Sequence, residues 1–207
     1  MYVTTHTTAA ALNPLTGKQT WKHEIQLPTD LFKYACCGIV NRGATTSDGK
    51  ICSGSLDAYA LALDVKAGMQ LWRKYTTAAP SDKDGDTWPG DSHAKRGAPT
   101  WLTGDCDPEL DLVYWGSGNA GPWNPEVRKG DNLSACSVVG FGPRTGDFVW
   151  QYPVSPNDPY GYDATEFDML VDLEIEGQNR KALAQAHHNG FFYVLDRANG
   201  KLLAANP

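Results

Sequence analysis

One short pattern recurs four times and limits what this chain can fold into. Leu12-Asn13-Pro14-Leu15-Thr16-Gly17, Leu63-Asp64-Val65-Lys66-Ala67-Gly68, Phe141-Gly142-Pro143-Arg144-Thr145-Gly146 and Leu195-Asp196-Arg197-Ala198-Asn199-Gly200 each read as a strand end, an Asx-type turn and a glycine with positive φ. Trp21, Trp72 and Trp150 each follow their glycine at the same offset of four residues, and Leu203 stands in the Trp position of the fourth copy. A tryptophan at a fixed offset sits on one face of the second strand, where it docks against the next unit. The glycine spacings of 51, 78 and 54 residues are close to the ~40–50 residues of a four-stranded propeller blade. Unrelated hairpins in a β-sandwich have no reason to keep that offset three times.

The rest of the chain agrees. Val113-Tyr114-Trp115, Ser137-Val138-Val139, Phe148-Val149-Trp150 and Phe191-Phe192-Tyr193-Val194-Leu195 are short β-branched and aromatic runs bounded by Gly, Pro, Asn or Asp. No segment keeps a helical apolar stripe over three turns. The expectation is an all-β chain, one propeller-type domain over residues 1–207. The long 78-residue interval must hold an excursion, and the polar, Gly/Pro-rich stretch 76–98 supplies it, as expected of a functional loop. A net charge of -6 argues against non-specific nucleic-acid binding, which needs a cationic surface. No apolar run of ~18 residues is present to span a membrane, and the first residues lack the basic and apolar regions of a signal peptide.

Several residues carry possible chemistry. Cys36-Cys37 are adjacent, and a disulfide between neighbours requires a distorted peptide, so two separate thiols are the simpler reading. Cys52, Cys106 and Cys136 show no metal-ligand spacing. Arg42 follows at close range. Gly116 to Asn124 is glycine-rich, and Asn119 within it offers an amide oxygen suited to a hard cation. Asn157-Asp158-Pro159-Tyr160-Gly161-Tyr162-Asp163 places two carboxylates beside aromatic rings. His187-His188 precede the turn signal Asn189-Gly190; on a strand they point to opposite faces and do not chelate one ion together.

Taken together, five blocks resemble the pyrroloquinoline quinone (PQQ) dependent alcohol dehydrogenases of the methanol and ethanol dehydrogenase type. They are Cys36-Cys37 with Asn41-Arg42-Gly43, Asp86-Thr87-Trp88-Pro89-Gly90-Asp91, Tyr114-Trp115-Gly116-Ser117-Gly118-Asn119, Asn157-Asp158-Pro159-Tyr160, and Asn189 through Arg197, in the family's order. The resemblance implies about four blades of an eight-bladed propeller joined by tryptophan docking. It implies that Cys36 and Cys37 form a vicinal disulfide against one face of PQQ, that Trp101 stacks on the other, and that Arg42 pairs with a cofactor carboxylate. Asn119 and Asp163 would hold Ca²⁺ or a lanthanide. A small primary alcohol as substrate, hydride transfer to PQQ, cytochrome c as electron acceptor, homodimers among intact members and a periplasmic address follow from the same resemblance.

The chain departs from the family at three places. Gly161 stands where the catalytic aspartate belongs, which leaves Asp163, two residues on, as the remaining candidate base. His188 replaces the quinone-contacting Arg or Lys. The block that supplies a metal-binding glutamate is absent, and Leu71-Trp72-Arg73 runs almost directly into the Thr87-Trp88-Pro89 loop, as though one blade were skipped. These departures, with the short length and missing leader, lead us to expect a partial or internally deleted chain. Two other readings stand beside the enzyme: a non-catalytic propeller module that binds a partner, and a sugar-binding β-sandwich.

Overall fold

The computed structural model describes residues 1–33, 38–79, 81–95 and 97–207. Fifteen strands among the described residues form four antiparallel sheets. The first sheet holds β1 (Tyr2–Thr4), β2 (Thr8–Leu12) and β3 (Gln19–Glu24). The second holds β4 (Thr45–Ser47), β5 (Lys50–Gly54), β6 (Tyr59–Asp64) and β7 (Gln70–Tyr75). The third runs through β8 (Asp105–Asp107), β9 (Leu112–Gly116), β10 (Ser137–Phe141) and β11 (Phe148–Pro153). β12 (Met169–Ile175), β13 (Gln178–Ala186), β14 (Phe192–Asp196) and β15 (Leu202–Asn206) make the fourth. Within each sheet the strands neighbour one another in chain order, the up-and-down meander expected of a blade.

Every repeat turn joins the last two strands of its sheet. Asn13 Oδ1 accepts the N–H groups of Leu15 and Thr16, and Asp64 Oδ1 accepts those of Lys66 and Ala67. Such Asx turns feed the chain into the left-handed glycine that closes the hairpin. Gly17, Gly68, Gly146 and Gly200 have φ between +68° and +73°. Three of these glycines are also contact points. Trp21 Nε1 donates to the Val65 carbonyl at 3.1 Å, Trp72 Nε1 to Pro143 at 2.9 Å, and Trp150 Nε1 to Arg197 at 3.1 Å. Each acceptor lies three residues before the glycine of the following sheet. A Cβ at Gly68, Gly146 or Gly200 would come within 2.6 Å of a ring carbon of that tryptophan, so both backbone conformation and space demand glycine. At Gly17 nothing lies within 4 Å.

The fourth copy needs one correction. The pairing register sets Ala11 opposite Trp21, Ala62 opposite Trp72, Gly140 opposite Trp150 and Val194 opposite Ala204. Ala204, not Leu203, therefore occupies the docking position.

The core lies between sheets. Ala9, Ile25, Leu61 and Leu63 fill the first seam beside Trp21. Cys52, Ala60, Ala62, Val113, Trp115, Val139 and Phe141 surround Trp72 in the second. Leu112, Tyr114, Val138, Leu183 and Leu195 surround Trp150 in the third. In that seam Arg197 is buried and held by Asp107 at 2.6 Å. Because meander strands alternate in direction, the glycine turns fall at one end of the sheets. The long connections, including the irregular 76–98 excursion with its two 3-10 turns, gather at the other end.

Candidate functional site

Trp101 lies in the connection between β7 and β8, at that loop end. Its carbonyl accepts the Arg42 N–H at 2.9 Å, and the Arg42 guanidinium carbon lies 5.6 Å from its ring centroid. Its side chain hydrogen-bonds to Asp163. Arg42, Trp101 and Asp163 line one cavity of about 260 Å³, together with Gly38, Val40, Leu56 and Pro99. Asp163 Oδ1 also accepts the backbone N–H of Asn119 at 2.7 Å. Burial pushes the Asp163 carboxyl up, and the Asn119 N–H, the His188 imidazole and the Trp101 indole partly offset it.

The loop carrying Asp163 is organised by Asp158. That buried carboxylate accepts the backbone N–H groups of Tyr160 at 3.1 Å, Gly161 at 2.8 Å and Tyr162 at 2.6 Å. Asp158 is therefore a loop organiser rather than a free base. Gly161 has φ +84°, and a Cβ there would meet Asn119 Nδ2 and Trp123 Nε1 at 3.5 Å. The space admits a side chain aimed at Asn119; the backbone conformation is what favours glycine. Cys136 Sγ lies 3.6 Å from Asn119 Oδ1 and 3.7 Å from Asp158 Oδ2, and burial pushes its thiol far up. Arg128, also buried, ties the loops together by donating to the carbonyls of Pro122 and Asp158.

The two histidines differ from the sequence expectation. They lie in the turn just past β13, not on a strand, and both approach one carboxylate. His188 Nδ1 is 2.7 Å from Glu166 Oε1, and His187 Nε2 is 4.0 Å from Glu166 Oε2. The His187 side chain is fully buried, and its Nδ1 accepts the Asn189 N–H at 3.2 Å. Its imidazole also bonds the backbone of Asp163, while burial lowers its pKa. His188 remains 63% exposed. Burial pushes Glu166 up, opposed chiefly by the charge of His188.

The structure thus brings Arg42, Trp101 and Asp163 into one cavity, with Asn119 against Asp163. It places His188 outside the described lining residues, on Glu166. Cys36 and Cys37 lie outside the described residues; Gly38, next in the chain, lines the cavity. Between β5 and β6 the chain contributes apolar Leu56 to the cavity, while its carboxylate, Asp57, pairs with Arg73 and the Ser55 hydroxyl. Among the described residues no group of three or more His, Cys, Asp or Glu side chains has the geometry to hold a metal ion. Asp158 was read from sequence as one of two candidate carboxylates, and it organises the loop instead. Arg128 and Glu166 were not found from sequence, and neither were the roles of Cys136 and His187.

A planar, aromatic, anionic ring fits what is present: a tryptophan face, a guanidinium beside it and a carboxylate at the edge of one cavity. The sequence model of the PQQ glucose/ethanol/alcohol dehydrogenase β-propeller domain matches residues 50–205. The chain belongs to this family. Quinohemoprotein alcohol dehydrogenase ADH IIB of Pseudomonas putida is 34% identical over 260 residues, covering 94% of this chain and 38% of that protein. The lanthanide-dependent methanol dehydrogenase of Methylacidiphilum fumariolicum is 30% identical over 257 residues, covering 90% of this chain and 42% of that enzyme. A europium-containing methanol dehydrogenase structure superposes with a TM-score of 0.87 at 31% identity, over all of this chain and 39% of that one. The chain spans about two-fifths of the length of these relatives. The alignment to ADH IIB is longer than the 207-residue chain, so more than 50 of its positions have no residue here. That shortfall is about the length of one blade.

Proposed function

We propose that this chain carries one side of a PQQ site of the alcohol dehydrogenase type, oxidising a primary alcohol to an aldehyde. The observation that supports it most is the convergence of Arg42, Trp101 and Asp163 on one cavity from three separate loops. Trp101 would stack on the quinone, and Arg42 would pair with one of its carboxylates. Cys36 and Cys37, as a disulfide, would cover the opposite face. Asn119 and Asp163 would hold Ca²⁺ or a lanthanide, the hard cation such oxygens suit. When bound, the quinone supplies the two-electron acceptor, polarised by the cation. The proposed electron acceptor beyond it is cytochrome c, in the periplasm.

The metal site is the weaker half. Leu56 and the Asp57–Arg73 pair leave the β5–β6 connection without a carboxylate in the cavity, and cation affinity falls with the number of anionic oxygens. A second reading, a non-catalytic propeller module, draws its support from that shortage and from Gly161. Titration of purified protein with PQQ and La³⁺ or Ca²⁺, followed by tryptophan fluorescence, separates the two. Saturable, metal-dependent quenching that is lost in Trp101→Phe supports the quinone site. A folded protein with no quenching overturns it in favour of the module.

A further inference from the structure

The second seam holds two thiols that the quinone site does not use. The pairing register lays Cys52, Ala62 and Trp72 in one row across the second sheet, on β5, β6 and β7. On the third sheet a row runs through Cys106, Val113 and Phe141, on β8, β9 and β10. Residues directly opposite across a ladder share one face of their sheet. Both rows meet in one core cluster, where Cys106 packs against the buried set that contains Cys52. The two sulfurs therefore stand on facing sides of the same seam. That seam is narrow at its inner edge. Cys52 lies opposite Thr45 of β4, and β4 approaches β8, which carries Cys106, to within 8 Å between Cα atoms. Ala60 and Ala62 keep bulk out of the space between. A disulfide spans about 4.4–6.8 Å between Cα atoms, which a small closing of this edge reaches. The two thiols differ in access. Cys52 is fully buried, and burial pushes its thiol up to about 12, with Cys106 adding to the shift. Cys106 is half-buried and lines an open cavity of about 680 Å³ with Ser47, Asp48, Pro108 and Arg144.

We propose that Cys52 and Cys106 form a disulfide that latches the second sheet to the third, made by exchange with a small-molecule disulfide such as oxidised glutathione. Cys106 reacts first, because it alone of the two is within reach of a disulfide in solution. Its thiol loses a proton to solvent, its sulfur attacks one sulfur of oxidised glutathione, and the S–S bond breaks. One glutathione leaves as a thiolate and takes up a proton. The Cys52 sulfur then attacks Cys106, its proton passes to the departing second glutathione, and the protein S–S bond forms. Two protein thiols have given up two electrons, and one disulfide has become two thiols. The loop closed between residues 52 and 106 contains the whole 76–98 excursion and Trp101, so the latch restrains the least regular stretch of the chain. The inference depends on neither quinone nor cation.

The test treats the full chain with oxidised glutathione or with dithiothreitol, alkylates the remaining thiols after denaturation, and maps the links by non-reducing peptide mass spectrometry. A peptide pair joining Cys52 to Cys106 should appear only in the oxidised sample, with Cys136 still alkylated. Tm should be about 5–10 °C higher in that sample than in the reduced one. Cys106→Ser changes a half-buried side chain and leaves the buried cluster filled. It should abolish both the link and the rise in Tm, and its Cys52 should take up no glutathione. Cys52→Ser should instead stop at a glutathione adduct on Cys106. Two alkylated cysteines after oxidation, or either one joined to Cys36 or Cys37, overturns the pair. A Cys52–Cys106 link that leaves Tm unmoved overturns the latch, as does a rise in Tm that survives Cys106→Ser.

Discussion

At the seams between sheets, three tryptophans meet three glycines in the same way, each with one indole hydrogen bond to the carbonyl three residues before the glycine. At the loop end nothing repeats. Asp158, Asp163 and Glu166 come from one connection, Cys136 and His187 from two others, and no two of them have the same surroundings. The seams bury aromatic surface, which stabilises without regard to the rest of the molecule. The loop end buries ionisable groups, which cost free energy unless every partner is in place. Stability therefore belongs to the repeat, and chemistry is free to vary where the repeat does not reach.

Substitutions at the seams should be the most damaging. Trp72→Ala removes the residue that joins the second sheet to the third, and should destabilise by about 3–5 kcal/mol in chemical denaturation. A loss below about 1 kcal/mol would mean that the second seam is held by other contacts. The glycines offer a sharper contrast. Gly146→Ala meets both the left-handed backbone and the Trp72 ring, so about 1–3 kcal/mol of overpacking adds to about 1–2 kcal/mol of backbone strain. Gly17→Ala meets only the strain, about 1–2 kcal/mol, because no atom lies within 4 Å. Equal losses at the two positions would show that the tryptophan does not press on its glycine.

The smallest effect tests the other side of the comparison. Burial pushes the Asp168 carboxyl well above its ordinary value, Asp105 adds to the shift, and the Gln185 hydrogen bond opposes it. The folded chain thus holds this proton more tightly than the unfolded chain. Stability falls as pH rises from the ordinary carboxylate range through the folded titration, and the loss persists above it. Asp168→Asn can keep the 3.1 Å bond from Gln185 Nε2 without the charge. It should raise Tm at pH 7 and leave Tm unchanged near pH 3. A lower Tm at pH 7 would mean that the Asp168 charge is stabilised by its surroundings.

The seams could be read without a structure because their requirements are local. A turn of set length, a glycine with positive φ and a tryptophan four residues later specify a hairpin and the face its indole takes, and the copies identify one another. The same offset of four from Gly200 gives Ala204, as the pairing register has it; Leu203, one residue short, was assigned the position because no aromatic marks it there. Arg42, Trp101, Asn119 and Asp163 were identified by resemblance, and the structure brings them together. Glu166 and Arg128 carried no signal, because an isolated carboxylate or guanidinium in a loop has the same sequence appearance whether buried or solvated.

The sequence by itself determined four hairpins, their spacing, the all-β class and the family, because each follows from residues within a few positions of one another. Tertiary structure alone decided that Asp158 organises its loop while Asp163 faces the cavity. It also decided that Asp57 is taken up by Arg73, and that His188 stands beside Glu166 while His187 is buried. Asn119 and Asp163 are 44 residues apart in the chain and 2.7 Å apart across their hydrogen bond. Contacts of that range depend on how the sheets stack.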